Sequence, residues 1–182
     1  MIETTRNAWF LAVALVAAAP LAWTHGEDEG PRSGKPEELG DVDFPVSCNA
    51  PAQKEFNRAM ALFHSFWFDP AKASFNAVLK HDPECGMAYW GISIMSMGNP
   101  FTWPTNPNAS KAGAPAAAEA ARVGAKTQRE RDYIHALSGF FKDWETTEFR
   151  PRALAFEEAM GKVAAKYPDD VEAQVLYALA LN

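Results

Sequence analysis

The sequence has few cysteines, a deficit of positive charge and almost no long apolar run. Two cysteines among 182 residues are too few for a small disulfide-framework protein or for a four-thiolate zinc site. The 17 Lys and Arg residues are outnumbered by 23 Asp and Glu residues, which gives a formal net charge of -6. Because an acidic surface repels a phosphate backbone, we do not expect nucleic acid to be a partner.

The motifs that carry common enzyme chemistry are also missing from the sequence. It contains no Gly-x-Ser-x-Gly elbow, no Gly-rich phosphate loop and no His-Glu-x-x-His zinc helix. It has no tightly spaced metal-ligand motif such as Cys-x-x-Cys-His either. We therefore predict neither an enzyme nor a bound cofactor.

One apolar run stands at the start of the chain, over residues 8–19, and Pro20 ends it. Its length suits the apolar core of a signal peptide and falls short of the about 20 residues that span a bilayer. We expect residues 1–24 to be a cleaved signal peptide, with an uncleaved membrane anchor as the alternative. The protein is then periplasmic or secreted, and no membrane contact is predicted beyond the export signal.

The remainder of the chain divides into a linker and a helical domain. Residues 25–43 are rich in Gly, Pro, Glu and Asp, which predicts a flexible linker. In residues 44–182 apolar side chains recur at helical spacing, and the stripe of the first helix is expected to run from Phe56 to Trp67. No segment alternates with a period of two. The prediction is an all-α domain of stacked antiparallel helix hairpins, with a Pro-rich loop at 99–115.

The turn between the second and third predicted helices carries the spacing of a known helical repeat. Its small, aromatic and turn residues are Ala71, Phe75, Val78, Asp82, Pro83, Ala88 and Tyr89. With this pattern the chain resembles a tetratricopeptide repeat protein, and in finer detail an uncharacterised group of exported bacterial tetratricopeptide proteins. The motifs that carry the finer resemblance are Phe44-Pro45-Val46-Ser47-Cys48, His64-Ser65-Phe66-Trp67, Glu84-Cys85-Gly86-Met87, Asn99-Pro100-Phe101 and Arg129-Glu130-Arg131-Asp132-Tyr133. The resemblance implies a right-handed superhelix in an exported protein, and it implies no activity.

The last predicted helix leaves an apolar edge at the end of the sequence. It carries Val175, Leu176, Leu179 and Leu181, and no polar capping helix follows it. We expect either a fragment of a longer repeat array or a short array that forms a homodimer through this edge.

Cys48 and Cys85 each precede a predicted first helix of a hairpin. Such helices lie side by side at about 10 Å in stacked hairpins, so a disulfide is the leading prediction in an oxidising compartment. A thiolate metal site, an activated thiol and two free thiols remain as alternatives. His64 is expected to cap the first helix. His64 and Cys85 are also the candidate ligands if the protein is instead a small-ligand, metal or haem carrier.

The first helices of the hairpins are expected to line a concave groove. The side chains predicted to form this partner-binding groove are Asn57, His64, Met87, Trp90, Ile94 and Met97. Phe101 and Trp103 of the Pro-rich loop are expected to cover or fill it. The alternative is that Met87, Trp90 and Ile94 belong to the core. The leading function is thus a module that binds a protein or peptide in this groove, and the carrier is the second hypothesis.

Overall fold

Short α-helices make up the part of the protein that the structure describes. The computed structural model describes residues 38–99 and 107–181, and within these ranges the chain has seven helices and no strand. They are α1 (Ala50–His64), α2 (Phe68–His81), α3 (Gly86–Met95), α4 (Pro107–Val123), α5 (Gln128–Phe141), α6 (Phe149–Lys166) and α7 (Val171–Ala180). The all-α prediction is confirmed. The predicted signal peptide, most of the predicted linker, and Phe101 and Trp103 lie outside the described residues.

The helices pack in the order in which they follow one another. Within successive pairs α1 packs on α2, α3 on α4, and α5 on α6. The second helix of each pair also packs on the first helix of the next, and α3 contacts α5. Among the described residues, no helix has both the length and the apolar composition needed to cross a bilayer.

Two helix starts follow from capping residues in the sequence. The Asn49 side chain accepts a hydrogen bond from the Ala52 amide at 3.0 Å and caps α1. Thr127 and Glu130 form a reciprocal capping box at the start of α5. Each such cap stabilises its helix by about 1 kcal/mol, because it satisfies amides that have no partner within the helix.

The prediction of a Pro-rich loop over residues 99–115 is wrong for residues 107–115, which are helical. Helix α4 begins at Pro107 and continues through Pro115. Proline suits the first position of a helix, where no amide donor is needed. Pro115 is exposed, so water can reach the Lys111 carbonyl that the proline ring deprives of its helical partner. The alanines that follow favour the helix strongly enough to include it.

The core is built from one-sided apolar stripes and a cluster of aromatic rings. Phe56 and Ala59 of α1 are fully buried, as the helical register predicts. Phe44, which precedes α1, is also fully buried and contacts three helices. Its ring centre lies 5.4 Å from that of Phe56, 6.1 Å from that of Trp90 and 5.3 Å from that of Tyr133. Residues before the first helix are therefore part of the core.

Candidate functional site

The side chains predicted to line an open groove are mostly buried. The four predicted residues in and just after α3 are exposed by 0% (Met87), 1% (Trp90), 4% (Ile94) and 3% (Met97). Helix α3 packs on α2, α4 and α5 at once, so little of its surface is left for a partner. The groove prediction is wrong for these four residues, which belong to the core.

Asn57, another predicted groove residue, binds the backbone of the protein's own chain. The Phe44 amide donates to Asn57 Oδ1 at 3.4 Å, and the Val46 amide donates to Gln53 Oε1 at 2.7 Å. Gln53 Nε2 donates in return to the Phe44 carbonyl at 2.8 Å. Residues 44–48, hereafter the 44–48 segment, thus lie against α1 as a peptide ligand would.

The same segment is bound from the other side by α5. The Ser47 amide donates to Glu130 Oε1 at 2.6 Å, and Arg129 Nη1 donates to the Pro45 carbonyl at 2.9 Å. The Arg129 guanidinium lies 4.3 Å from the centre of the Phe44 ring, which is a cation–π contact. The sequence did not indicate a role for Glu130 or Arg129 in binding this segment. Neither contact leaves a local sequence signal, because the partner lies more than 80 residues away.

Cys48 and Cys85 form a disulfide, with their Cα atoms 5.3 Å apart. The leading prediction for these residues is confirmed. The bond fastens the end of the 44–48 segment to the residue that precedes α3. It also leaves Cys85 without a free thiolate. No group of three or more His, Cys, Asp or Glu residues in the described ranges could hold a metal ion.

His64 connects the first helix to the last. Its Nε2 atom lies 2.9 Å from Glu172 Oε2 and 3.1 Å from Glu172 Oε1. Its ring also stacks on Phe63, with ring centres 5.3 Å apart. His64 therefore links α1 to the first turn of α7, and with Cys85 in a disulfide we do not propose a metal or haem site at these two residues.

Asp170 is a partly buried carboxylate at the start of α7. Its side chain accepts hydrogen bonds from Arg129, from the Tyr133 hydroxyl at 2.8 Å and from the Ala173 amide. Burial opposes ionisation, but these bonds outweigh it and hold the pKa of Asp170 below its usual value. Burial and the neighbouring Asp170 carboxylate raise the pKa of Tyr133. The Tyr133 hydroxyl thus acts as a neutral donor at physiological pH.

Two half-exposed aromatic side chains lie where α1 turns into α2, and the Phe66 ring packs edge-on against Phe68. Phe66 is 46% exposed and Trp67 is 53% exposed. The prediction that the buried stripe of α1 reaches Trp67 is wrong, because α1 ends at His64. Sequence reasoning placed Trp67 on the regular helix and so missed this pair.

The turn that presents them is a Schellman motif. The Phe66 amide donates to the Phe63 carbonyl at 2.9 Å, and the Trp67 amide donates to the Leu62 carbonyl at 3.0 Å. Phe66 has a φ of 60°, at the position of this motif where glycine is usual. For a residue with a side chain this left-handed conformation costs about 1–2 kcal/mol. The chain therefore keeps an aromatic residue where glycine would be less strained.

The start of α7 lies next to this turn, because Glu172 bonds to His64. Val171, which precedes Glu172, is 71% exposed. We call Phe66 and Trp67 the aromatic corner.

A cleft of about 340 Å³ lies between α5 and α6. Ala136 is one of the residues that line the cleft. The charged residues that line it form ion pairs with one another. Lys162 Nζ lies 2.6 Å from Glu158, and Lys166 Nζ lies 2.7 Å from Asp132. Since these charges already have partners inside the cleft, we assign no ligand to it.

Comparison of the chain with protein-family models, with curated proteins and with solved structures finds no match. The resemblance to tetratricopeptide proteins consequently depends on the sequence motifs alone. A function for this protein is therefore inferred from the exposed surfaces described above.

Proposed function

We propose that this chain is an exported protein-binding module that contacts its partner through the aromatic corner. The observation that carries the proposal is the adjacent pair Phe66 and Trp67, each about half exposed on a strained turn. Tryptophan dominates many protein interfaces, because it buries a large area while immobilising few torsions. Strained backbone conformations also concentrate at functional positions.

The remainder of the molecule supports a scaffold role. Helices stacked in sequence order give a rigid body that presents its turns at fixed positions. The Cys48–Cys85 disulfide favours an exported protein, since such bonds persist in oxidising compartments. The resemblance to exported tetratricopeptide proteins points in the same direction.

The proposed binding surface differs from the groove expected from the sequence. The 44–48 segment already occupies one face of α1 and α5, which includes the predicted groove residue Asn57, and Trp90 packs against Phe44 in the core. A partner would have to displace a disulfide-bonded segment to reach that face. The aromatic corner needs no such rearrangement, because its side chains are already accessible.

A comparison of two truncation variants tests this proposal. Trp67→Ala removes the central side chain of the corner, and Leu154→Ala removes a similarly exposed apolar residue (54%) from α6. Each variant would be exported and cross-linked in the periplasm, and the captured proteins would be compared by quantitative mass spectrometry. We expect one partner that the wild type and Leu154→Ala retain and that Trp67→Ala loses. If the two variants capture the same proteins in the same amounts, the aromatic corner is not the binding surface.

A further inference from the structure

We infer that the 44–48 segment is a strap that closes a binding site for an extended peptide, and that reduction of the Cys48–Cys85 disulfide opens this site. The partner is an extended segment of another protein that carries one aromatic side chain. The inference goes beyond the proposed function, because none of these residues belongs to the aromatic corner.

Side chains of α1 and α5 bind the backbone of the 44–48 segment. Five hydrogen bonds join the two, from three amides and two carbonyls of the segment. Gln53 contacts the segment twice, since its amide oxygen accepts from the Val46 amide and its amide nitrogen donates to the Phe44 carbonyl. Such bonds recognise an extended backbone whatever side chains it carries. The site therefore suits an extended peptide in general.

One side chain of the segment supplies a sequence preference. Phe44 is fully buried, and its ring packs on the rings of Phe56, Trp90 and Tyr133. The Arg129 guanidinium lies 4.3 Å from the centre of the same ring. If the segment left, these aromatic surfaces would face water, which favours filling of the pocket by another aromatic side chain.

The disulfide restrains the segment at a second point. Asn49, directly after Cys48, caps α1, and Cys85 directly precedes α3, so the bond ties the segment to the starts of two helices. A tethered segment competes with a free peptide at an effective concentration of about millimolar, so a peptide with the same contacts does not displace it. With the disulfide broken, only the chain link to α1 remains and the segment opens more often.

Opening the site requires a dithiol as co-reactant. The dithiol gives two electrons and two protons to the disulfide, which becomes two thiols, and the dithiol itself becomes a disulfide. Cys48 is partly exposed, whereas Cys85 is 1% exposed. We therefore expect the attacking thiolate to bond to the Cys48 sulfur while Cys85 leaves as the thiolate. In an oxidising compartment the site stays closed until such a reductant arrives.

Peptide binding by the full chain tests the inference. The probe is a fluorescent peptide with the sequence of residues 41–47, and the control is the same peptide with alanine in place of its phenylalanine. We expect the probe to bind at least about tenfold more tightly after the protein is treated with a dithiol than before. The reduced protein should also bind the probe at least about tenfold more tightly than the control peptide.

Variants separate the strap from the site. The double variant Cys48→Ala with Cys85→Ala should bind the probe without a dithiol. Phe44→Ala should bind it at least about tenfold more tightly than the oxidised wild type, because the protein's own segment then lacks its anchor. Adding Gln53→Ala to Phe44→Ala should weaken binding about tenfold, since two hydrogen bonds are lost. Leu154→Ala should bind as the wild type does.

Hydrogen exchange measures the opening of the segment without any variant. Reduction of the wild type should speed exchange of the Val46 and Ser47 amides at least about tenfold. In the reduced protein these two amides should also exchange at least about tenfold faster than the Val163 amide of α6, because the segment opens while the helices stay folded.

Each other result overturns the inference. Exchange of Val46 and Ser47 at the rate of Val163 would show that the segment opens only when the whole domain unfolds. Equal binding of the probe before and after reduction would show that the disulfide does not close the site. Equal binding of probe and control peptide would reject the aromatic preference, and no binding in any state would reject the peptide site. If Phe44→Ala does not fold, the reduced wild type and the cysteine double variant decide.

Discussion

Arg129 and Asp170 are joined by two hydrogen bonds, from Nε to Oδ2 at 2.6 Å and from Nη2 to Oδ1 at 3.0 Å. The same guanidinium donates to the Pro45 carbonyl, and the same carboxylate caps α7. One ion pair therefore connects the 44–48 segment, α5 and α7. The pair therefore holds the 44–48 segment against two helices that were predicted to line a partner-binding groove.

Replacing the carboxylate of this pair should destabilise the protein. Asp170→Asn keeps a capping oxygen but leaves the partly buried Arg129 without its counter-charge. We expect the free energy of unfolding to fall by about 2–3 kcal/mol, measured by urea denaturation. The control is Glu158→Gln, which removes an exposed partner of Lys162 and should leave stability unchanged. An unchanged stability of Asp170→Asn would show that the ion pair contributes nothing net.

Asp170 should also make stability depend on acidic pH. Its pKa is lower in the folded protein than the ordinary value of 3.8. Its contribution is therefore fully present above that ordinary value and is lost as the pH falls through the lower folded pKa. Urea denaturation over this range should show a smaller loss of stability on acidification for Asp170→Asn than for the wild type. Parallel curves for the two proteins would contradict this assignment.

The disulfide should be a large contributor to stability. Its two cysteines are 37 residues apart, and closing a loop of that length stabilises by about 4 kcal/mol in the chain-entropy model. The double variant Cys48→Ala with Cys85→Ala should lose about this amount in urea denaturation. The wild type with an added dithiol should behave as the variant does. Oxidised wild type no more stable than the variant would refute the prediction.

Two glycines should respond in opposite directions to the same substitution. A Cβ added at Gly91 in α3 would overlap the ring of Phe75, whereas one added at Gly139 in α5 would meet no atom within 4 Å. Gly91→Ala should destabilise by about 1–3 kcal/mol. Gly139→Ala should stabilise by about 0.5–1 kcal/mol, because alanine favours the helix. Thermal unfolding of the two variants side by side checks both. No loss of stability in Gly91→Ala would contradict the close packing of α3 on Phe75, and no gain in Gly139→Ala would contradict the open space at that position.

The strained turn at Phe66 predicts an unusual order of stabilities. Phe66→Ala removes the ring but keeps a side chain at a φ of 60°, whereas Phe66→Gly removes both the ring and the strain. The glycine variant should therefore be more stable than the alanine variant by about 1 kcal/mol in urea denaturation. Both variants should nevertheless bind the partner less well than the wild type. An alanine variant as stable as the glycine variant would show that the turn stores no strain.

Some features of this protein could be predicted because they depend on neighbouring residues. Asn49, Thr127 and Glu130 act as caps within three residues of the amides they bind. The burial of Phe56 follows from the 3.6-residue period of its helix. The Cys48–Cys85 pairing followed from the order of the predicted helices, which packing then preserved.

Other features could not be predicted because they depend on what covers each surface. The helical spacing of Met87 and Trp90 fits side chains that line a groove as well as it fits side chains in the core. Only the packing of α3 on three other helices shows that both residues belong to the core. The end of α1 depends on Phe66 adopting a conformation that its side chain disfavours, so propensity alone extends the helix to Trp67.

The sequence by itself determined the all-α class, the capped helix starts and the apolar stripes, because capping and periodicity act over a few residues. Only the tertiary structure decided that the 44–48 segment packs on α1 and α5 and that His64 meets Glu172, 108 residues away. Contacts over that distance have no local signal, since they follow from how all the helices between them pack. The aromatic corner belongs to this second group, and so does the function proposed for it.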